Sequence, residues 1–137
     1  MKLWKKAILG SLAALLVGVV GYTVLLSLAF DLMCTNEVFG ESLSPQRNLK
    51  TVVFERNCGA TTGFSTHVSI MDAKEGVGYE GGNVFVIDGH PNDTGVVVRW
   101  IDDSQLEIFT PNLRGVFLAE RSWGKAEVVV SYVQTGS

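Results

Sequence analysis

The 137-residue sequence predicts one N-terminal transmembrane helix followed by a small all-β domain, and three observations predict it. Ala7–Phe30 is a run of 24 residues without a charge. From residue 31 onward, 15 valines and repeated apolar–polar alternation at period two mark short strands between Gly-, Asn- and Asp-rich breaks. No segment in that region carries helical periodicity. The expected architecture is a small antiparallel sheet, sandwich or barrel of about seven strands.

Eighteen of the 24 residues in the run are hydrophobic, and the others are Gly, Ser or Thr. As a helix the run reaches about 36 Å, enough to cross a hydrocarbon core of about 30 Å with some tilt. It is longer than the ~7–15 apolar residues of a cleavable signal core, which favours a retained signal-anchor. Lys2, Lys5 and Lys6 precede the run and Asp31 follows it. That asymmetry predicts residues 1–6 as a cytoplasmic stub and the rest as lying outside a bacterial cytoplasmic membrane, in the periplasm or beyond the cell. Two alternatives stay open: cleavage after Ser27-Leu28-Ala29, and lipidation of Cys34, for which Asp31-Leu32-Met33 is a poor leader. All three readings export residues 31–137. The lipid bilayer is the partner expected for residues 7–30. Gly10, Ala14 and Gly18 recur four apart, a stripe that permits self-association or pairing with another span, although Gly and Ala are also ordinary constituents of spans.

The mean hydropathy of +0.26 and the hydrophobic content of 47% therefore average over two solvents. Residues 31–137 hold all 14 acidic residues and 8 of the 11 basic ones, a net charge of −6. An acidic exported domain is a poor partner for nucleic acid or for anionic headgroups, and no nucleic-acid partner is expected. Within it, residues 31–49 read as a juxtamembrane linker, with Ser44-Pro45-Gln46-Arg47-Asn48 as a turn, and residues 50–137 as the β-domain. The strands expected in order are Thr51–Asn57, Thr66–Met71, Asn83–Asp88, Val96–Ile101, Gln105–Thr110, Val116–Arg121 and Ala126–Val133. Asn83–Asp88 is apolar on both faces, as a central strand is. Val96, Val98 and Trp100 share one face of theirs. Asp102-Asp103-Ser104 and Trp123-Gly124-Lys125 read as hairpin turns.

Two cysteines cannot form a disulfide scaffold or a four-cysteine zinc site. Cys34 and Cys58 both lie on the exported side, where disulfides persist, so a Cys34–Cys58 bond is the favoured pairing. Free structural thiols are one alternative. The other is an envelope enzyme in which Cys58 is a nucleophile and His67 its base; no third, orienting residue is identifiable, and no catalytic residue is assigned. The loop Gly59, Ala60, Thr61, Thr62, Gly63, Phe64, Ser65 and Thr66 is rich in Gly and small hydroxyls and is the candidate binding loop. A hairpin connection whose hydroxyls satisfy their own backbone has the same composition. Asp88, His90 and Asp93 read as an exposed turn rather than a metal site, and neither metal nor cofactor is expected.

The block Val52–Ser69, VVFERNCGATTGFSTHVS, resembles one shared by a family of small, uncharacterised bacterial exported or membrane-anchored proteins, of the form VVFER[ND]CGATTGFSTxVS. The resemblance extends to Cys34 with Asn36-Glu37-Val38, to Gly82–Val86 with Asp88, and to Val98-Arg99-Trp100. It implies that Cys34 is a structural cysteine rather than a lipidation site, and it carries no activity. The function expected is that of a binding or accessory module of the cell envelope.

Overall fold

The computed structural model describes residues 2–59, 62–125 and 127–136, without the side chain of Asp31. The chain divides into two compact units, Met1–Met33 and Cys34–Ser137.

The first unit is one helix, α1, Lys2–Leu32. Its 31 residues give a length of about 46 Å, and Lys2–Phe30 is long and apolar enough to cross a membrane. The serine and threonine hydroxyls in the apolar run are satisfied within the helix: Ser11 donates to the Ile8 carbonyl, Thr23 to Val20 and Ser27 to Thr23, all at 2.9–3.0 Å. No unpaired hydroxyl is therefore left at these positions, as an apolar surrounding would require.

Among the described residues the second unit contains nine strands in two sheets: β1 Thr35–Leu43, β2 Leu49–Asn57, β3 Ser65–Asp72, β4 Phe85–Asp88, β5 Val97–Asp102, β6 Gln105–Thr110, β7 Val116–Ala119, β8 Ser122–Trp123 and β9 Val128–Gln134. A single helical turn, α2 Pro91–Thr94, lies between β4 and β5. The larger sheet runs β1-β2-β3-β4-β7 and the smaller β5-β6-β9-β8. Period-two alternation explains how they pack. Val53, Val68, Ile70, Phe85 and Ile87 from the first sheet meet Leu106, Ile108, Val128 and Val130 from the second in one core. Val96, Val98 and Trp100 pack against that core, on the face their alternation predicts. The Tyr132 hydroxyl lies against the carbonyls of Val84 and Glu120, and burial, reinforced by the Glu120 charge, pushes its pKa up to about 12.

The all-β expectation holds, and three of its details are corrected. Residues 31–49 are not a linker, because Thr35–Leu43 is an edge strand paired along its length with β2, and the compact unit begins at Cys34. Its pattern is masked by a bulge between Val38 and Gly40 and by the charges an edge strand carries, Glu37 and Glu41. Trp123 belongs to the short strand β8 rather than to a turn. The sheets are not wholly antiparallel: β6 and β9 pair in parallel, because the chain visits the other sheet as β7 before returning. Val52 and Phe54 are buried, but outside the main core, on the opposite face of the sheet. Ala126, assigned to the last strand from sequence, lies outside the described residues.

The β1–β2 pairing explains the disulfide. Thr35 faces Asn57, and one step further along the same register places Cys34 opposite Cys58; the two are bonded, with their Cα atoms 3.9 Å apart. The bond closes the open end of a hairpin whose other end is the Ser44–Asn48 turn, where Ser44 N–H donates to the Leu49 carbonyl at 2.9 Å. Alkylation mass spectrometry is expected to label no cysteine before reduction and both after it. Replacing both cysteines by serine is expected to lower the unfolding free energy by about 3 kcal/mol, by loop-closure entropy.

Candidate functional site

Strand β2 lies between β1 and β3, and both its faces are buried, so polar side chains near its end must find partners inside the protein. On the face towards α2, the Glu55 carboxylate is buried and accepts from His90 Nε2 at 2.9 Å. His90 Nδ1 in turn accepts the Asn92 amide at 3.1 Å and caps α2. Two aromatic edges hold the imidazole: the Phe39 ring centroid is 5.0 Å away and that of Phe64 5.8 Å, both near perpendicular. Phe39 sits at the β1 bulge, the device that turns an extra side chain out of strand alternation. Beside this cluster the fully buried Thr66 donates to the Gly89 carbonyl at 2.8 Å and lies 3.1 Å from the Thr94 hydroxyl.

The other face is roofed by the Glu75–Asn83 segment, and the contacts are again polar. Arg56 Nη1 donates to the Tyr79 carbonyl and, at 3.2 Å, to Asn36 Oδ1, while the Asn36 amide reaches the carbonyls of Gly78 and Glu80 at 2.8 Å. The Gly82 amide donates to His67 Nδ1 at 2.7 Å. That bond places the imidazole proton on Nε2, 2.8 Å from Ser65 Oγ. A Cβ at Gly82 would come within 3.0 Å of the Phe85 and Val68 carbonyls, so only glycine fits there. Burial, with the Arg56 charge beside it, lowers the His67 pKa to about 4.

Cys58 and His67 therefore do not form a nucleophile–base pair. Cys58 has no thiol in the disulfide, and both nitrogens of His67 are engaged elsewhere. Of the candidate binding loop, Ser65 and Thr66 are the first residues of β3 rather than loop residues. Gly59 and Thr62 are tied locally: the Gly59 amide donates to Asn57 Oδ1, and Thr62 donates through N and Oγ1 to the Gly59 carbonyl. The Phe64 carbonyl accepts from Gly89 at 2.9 Å, while its ring remains half exposed. Ala60 and Thr61 lie outside the described residues. Asp88, His90 and Asp93 are not gathered into one cluster, since His90 is taken up by Glu55 and by the cap of α2.

Next to Phe39 a groove of about 340 Å³ opens between β1 and β5, the end strands of the two sheets. Val53, Val96 and Val98 supply apolar lining, Phe39–Ser42 form one wall, and Pro91, Asn92 and Val97 the other. Trp100 Nε1 donates across to the Ser42 carbonyl at 3.1 Å and ties the two edges together. Sequence reasoning missed this site because Phe39 fell in the supposed linker, and because Glu55 and His90 are 35 positions apart with no motif to join them.

Comparison of the chain with family models, with curated proteins and with solved structures finds no match.

The buried imidazole makes stability depend on pH. Unfolded His67 takes a proton near pH 6.5, and the folded residue resists protonation down to about 4. Its contribution is therefore complete above pH 6.5 and lost as pH falls from 6.5 towards 4. Denaturant unfolding is expected to show a loss of about 2 kcal/mol over that range, after allowing for partial solvent screening. A His67→Gln variant is expected to flatten this slope.

Proposed function

We propose that the chain is an anchored binding module of the bacterial envelope. In this reading α1 is retained in the cytoplasmic membrane, with residues 1–6 in the cytoplasm and the β-unit outside. The groove between β1 and β5 receives an extended segment of an envelope protein. The observation that carries the reading is the groove itself. It is apolar at its base and bordered by two strand edges, one of which, β1, ends its sheet and offers main-chain groups for strand addition. Phe39 and Val97, both exposed, stand on opposite walls as apolar anchors for alternate side chains of such a segment. The lysines before the apolar helix support the orientation, and the disulfide agrees with an oxidising exterior.

A photoreactive benzoylphenylalanine at Phe39 or Val97, irradiated in intact cells, is expected to form an adduct with one segment of one protein. A Val97→Glu change is expected to abolish the Phe39 adduct. Adducts scattered over many proteins, or none from either wall, would overturn the reading.

A further inference from the structure

We propose that His90 is the positioning residue of the groove: held by Glu55, its imidazole fixes Phe39 on one wall and Pro91 and Asn92 on the other, and so sets the gap that a guest segment enters. The inference rests on the reading of the groove as a binding site, and it deepens that reading by naming what holds the site open. His90 is not among the residues that line the groove, yet it touches both walls. The wall formed by α2 needs such a support, because α2 buries none of its four residues. With no buried side chain to seat it, the turn is located by hydrogen bonds. At its end, the Thr94 hydroxyl lies 3.1 Å from that of the fully buried Thr66. At its start, His90 Nδ1 accepts the Asn92 amide at 3.1 Å, and the His90 carbonyl accepts those of Asp93 and Thr94 at 2.8 and 3.0 Å. Pro91 and Asn92, which face the groove, belong to this start.

The opposite wall has the same need. Phe39 stands at the bulge of β1, out of strand alternation and 40% exposed, so packing against the sheet does not by itself fix its ring. The imidazole meets that ring near perpendicular, with the centroids 5.0 Å apart. The imidazole is in turn held at both nitrogens. Because Nδ1 accepts from Asn92, the ring proton lies on Nε2 and is donated to the Glu55 carboxylate at 2.9 Å. Turning the ring over would exchange donor and acceptor and break both bonds. Glu55 itself is buried on β2, which is paired on both sides and is a fixed point of the sheet. One side chain thus carries the position of β2 to two walls that the sheet alone does not place.

His90→Asn separates this role from capping alone. Asparagine is among the best capping side chains, so the turn keeps its cap, but it is shorter than histidine and offers Phe39 no ring. The test uses the full chain. Para-fluorophenylalanine at Phe39 reports the surroundings of that ring by fluorine NMR in detergent micelles, and benzoylphenylalanine at Val97 reports occupancy by photocrosslinking in intact cells. His90→Asn is expected to move the fluorine signal and to lower the Val97 adduct about tenfold, with the disulfide retained. Glu55→Gln keeps an acceptor for the Nε2 proton and is expected to leave both readings as in the unchanged protein. A Val97 adduct that survives His90→Asn would overturn the inference and leave the groove reading standing. Loss of the adduct with the fluorine signal unmoved would also overturn it, since His90 would then act on the guest without Phe39. Loss of the adduct in Glu55→Gln would make the charge the requirement rather than the hydrogen bond, and would overturn it as well. No Val97 adduct from the unchanged protein would overturn the groove reading and this inference with it.

Discussion

Strands β2 and β3 bury both faces while carrying polar side chains at one end, and the rest of the β-unit is arranged around that constraint. Glu55, Arg56, Thr66 and His67 are all buried. A buried polar group without a partner costs about 1–3 kcal/mol, and a charged one more. Each is therefore met by a segment brought over the sheet. His90 and the turn of α2 come to Glu55 and Thr66, and the roof formed by Glu75–Asn83 comes to Arg56 and His67. Among the described residues no buried side-chain polar atom is left without a partner. Two long connections that would otherwise be free loops are fixed by these bonds rather than by a second hydrophobic core.

This arrangement also gives physical content to the block Val52–Ser69. Alternate residues serve opposite faces: Glu55 and Thr66 hold the α2 side, while Arg56, Ser65 and His67 hold the roof. Cys58 closes the hairpin and Phe64 braces His90. A sequence of this kind tolerates few substitutions for reasons of folding alone. The family resemblance proposed on it is thus compatible with a shared architecture and says nothing of a shared ligand.

Much of the fold was legible because period-two patterns survive wherever one face meets the core, as in Val96, Val98 and Trp100 or in Leu106 and Ile108. The pattern fails where burial is supplied by polar bonds or where a strand lies at an edge. Thr35–Leu43 has Gly40 at its bulge and two glutamates, so it reads as coil, although β2 pairs with it throughout. The parallel β6–β9 pair was hidden for a topological reason, since strand spacing does not reveal that β7 crosses to the other sheet. The disulfide was legible from the apolar N-terminal run and the cysteine count. The Glu55–His90 pair was not, because no local spacing encodes a contact made across the sandwich end.

Only Met33 separates α1 from Cys34 of the disulfide-closed hairpin, which leaves little chain there to act as a flexible spacer. The groove between β1 and β5 opens beside Phe39, on the side of the sandwich where the end strands of the two sheets meet. Phe39, His90 and Phe64 join the groove wall to the segment before β3, because one imidazole is clamped by an aromatic ring from each. Rotating His90 would disturb its bond to Glu55 and both ring contacts together. A displacement of His90 would therefore be felt both at Phe39 on the groove wall and at Phe64.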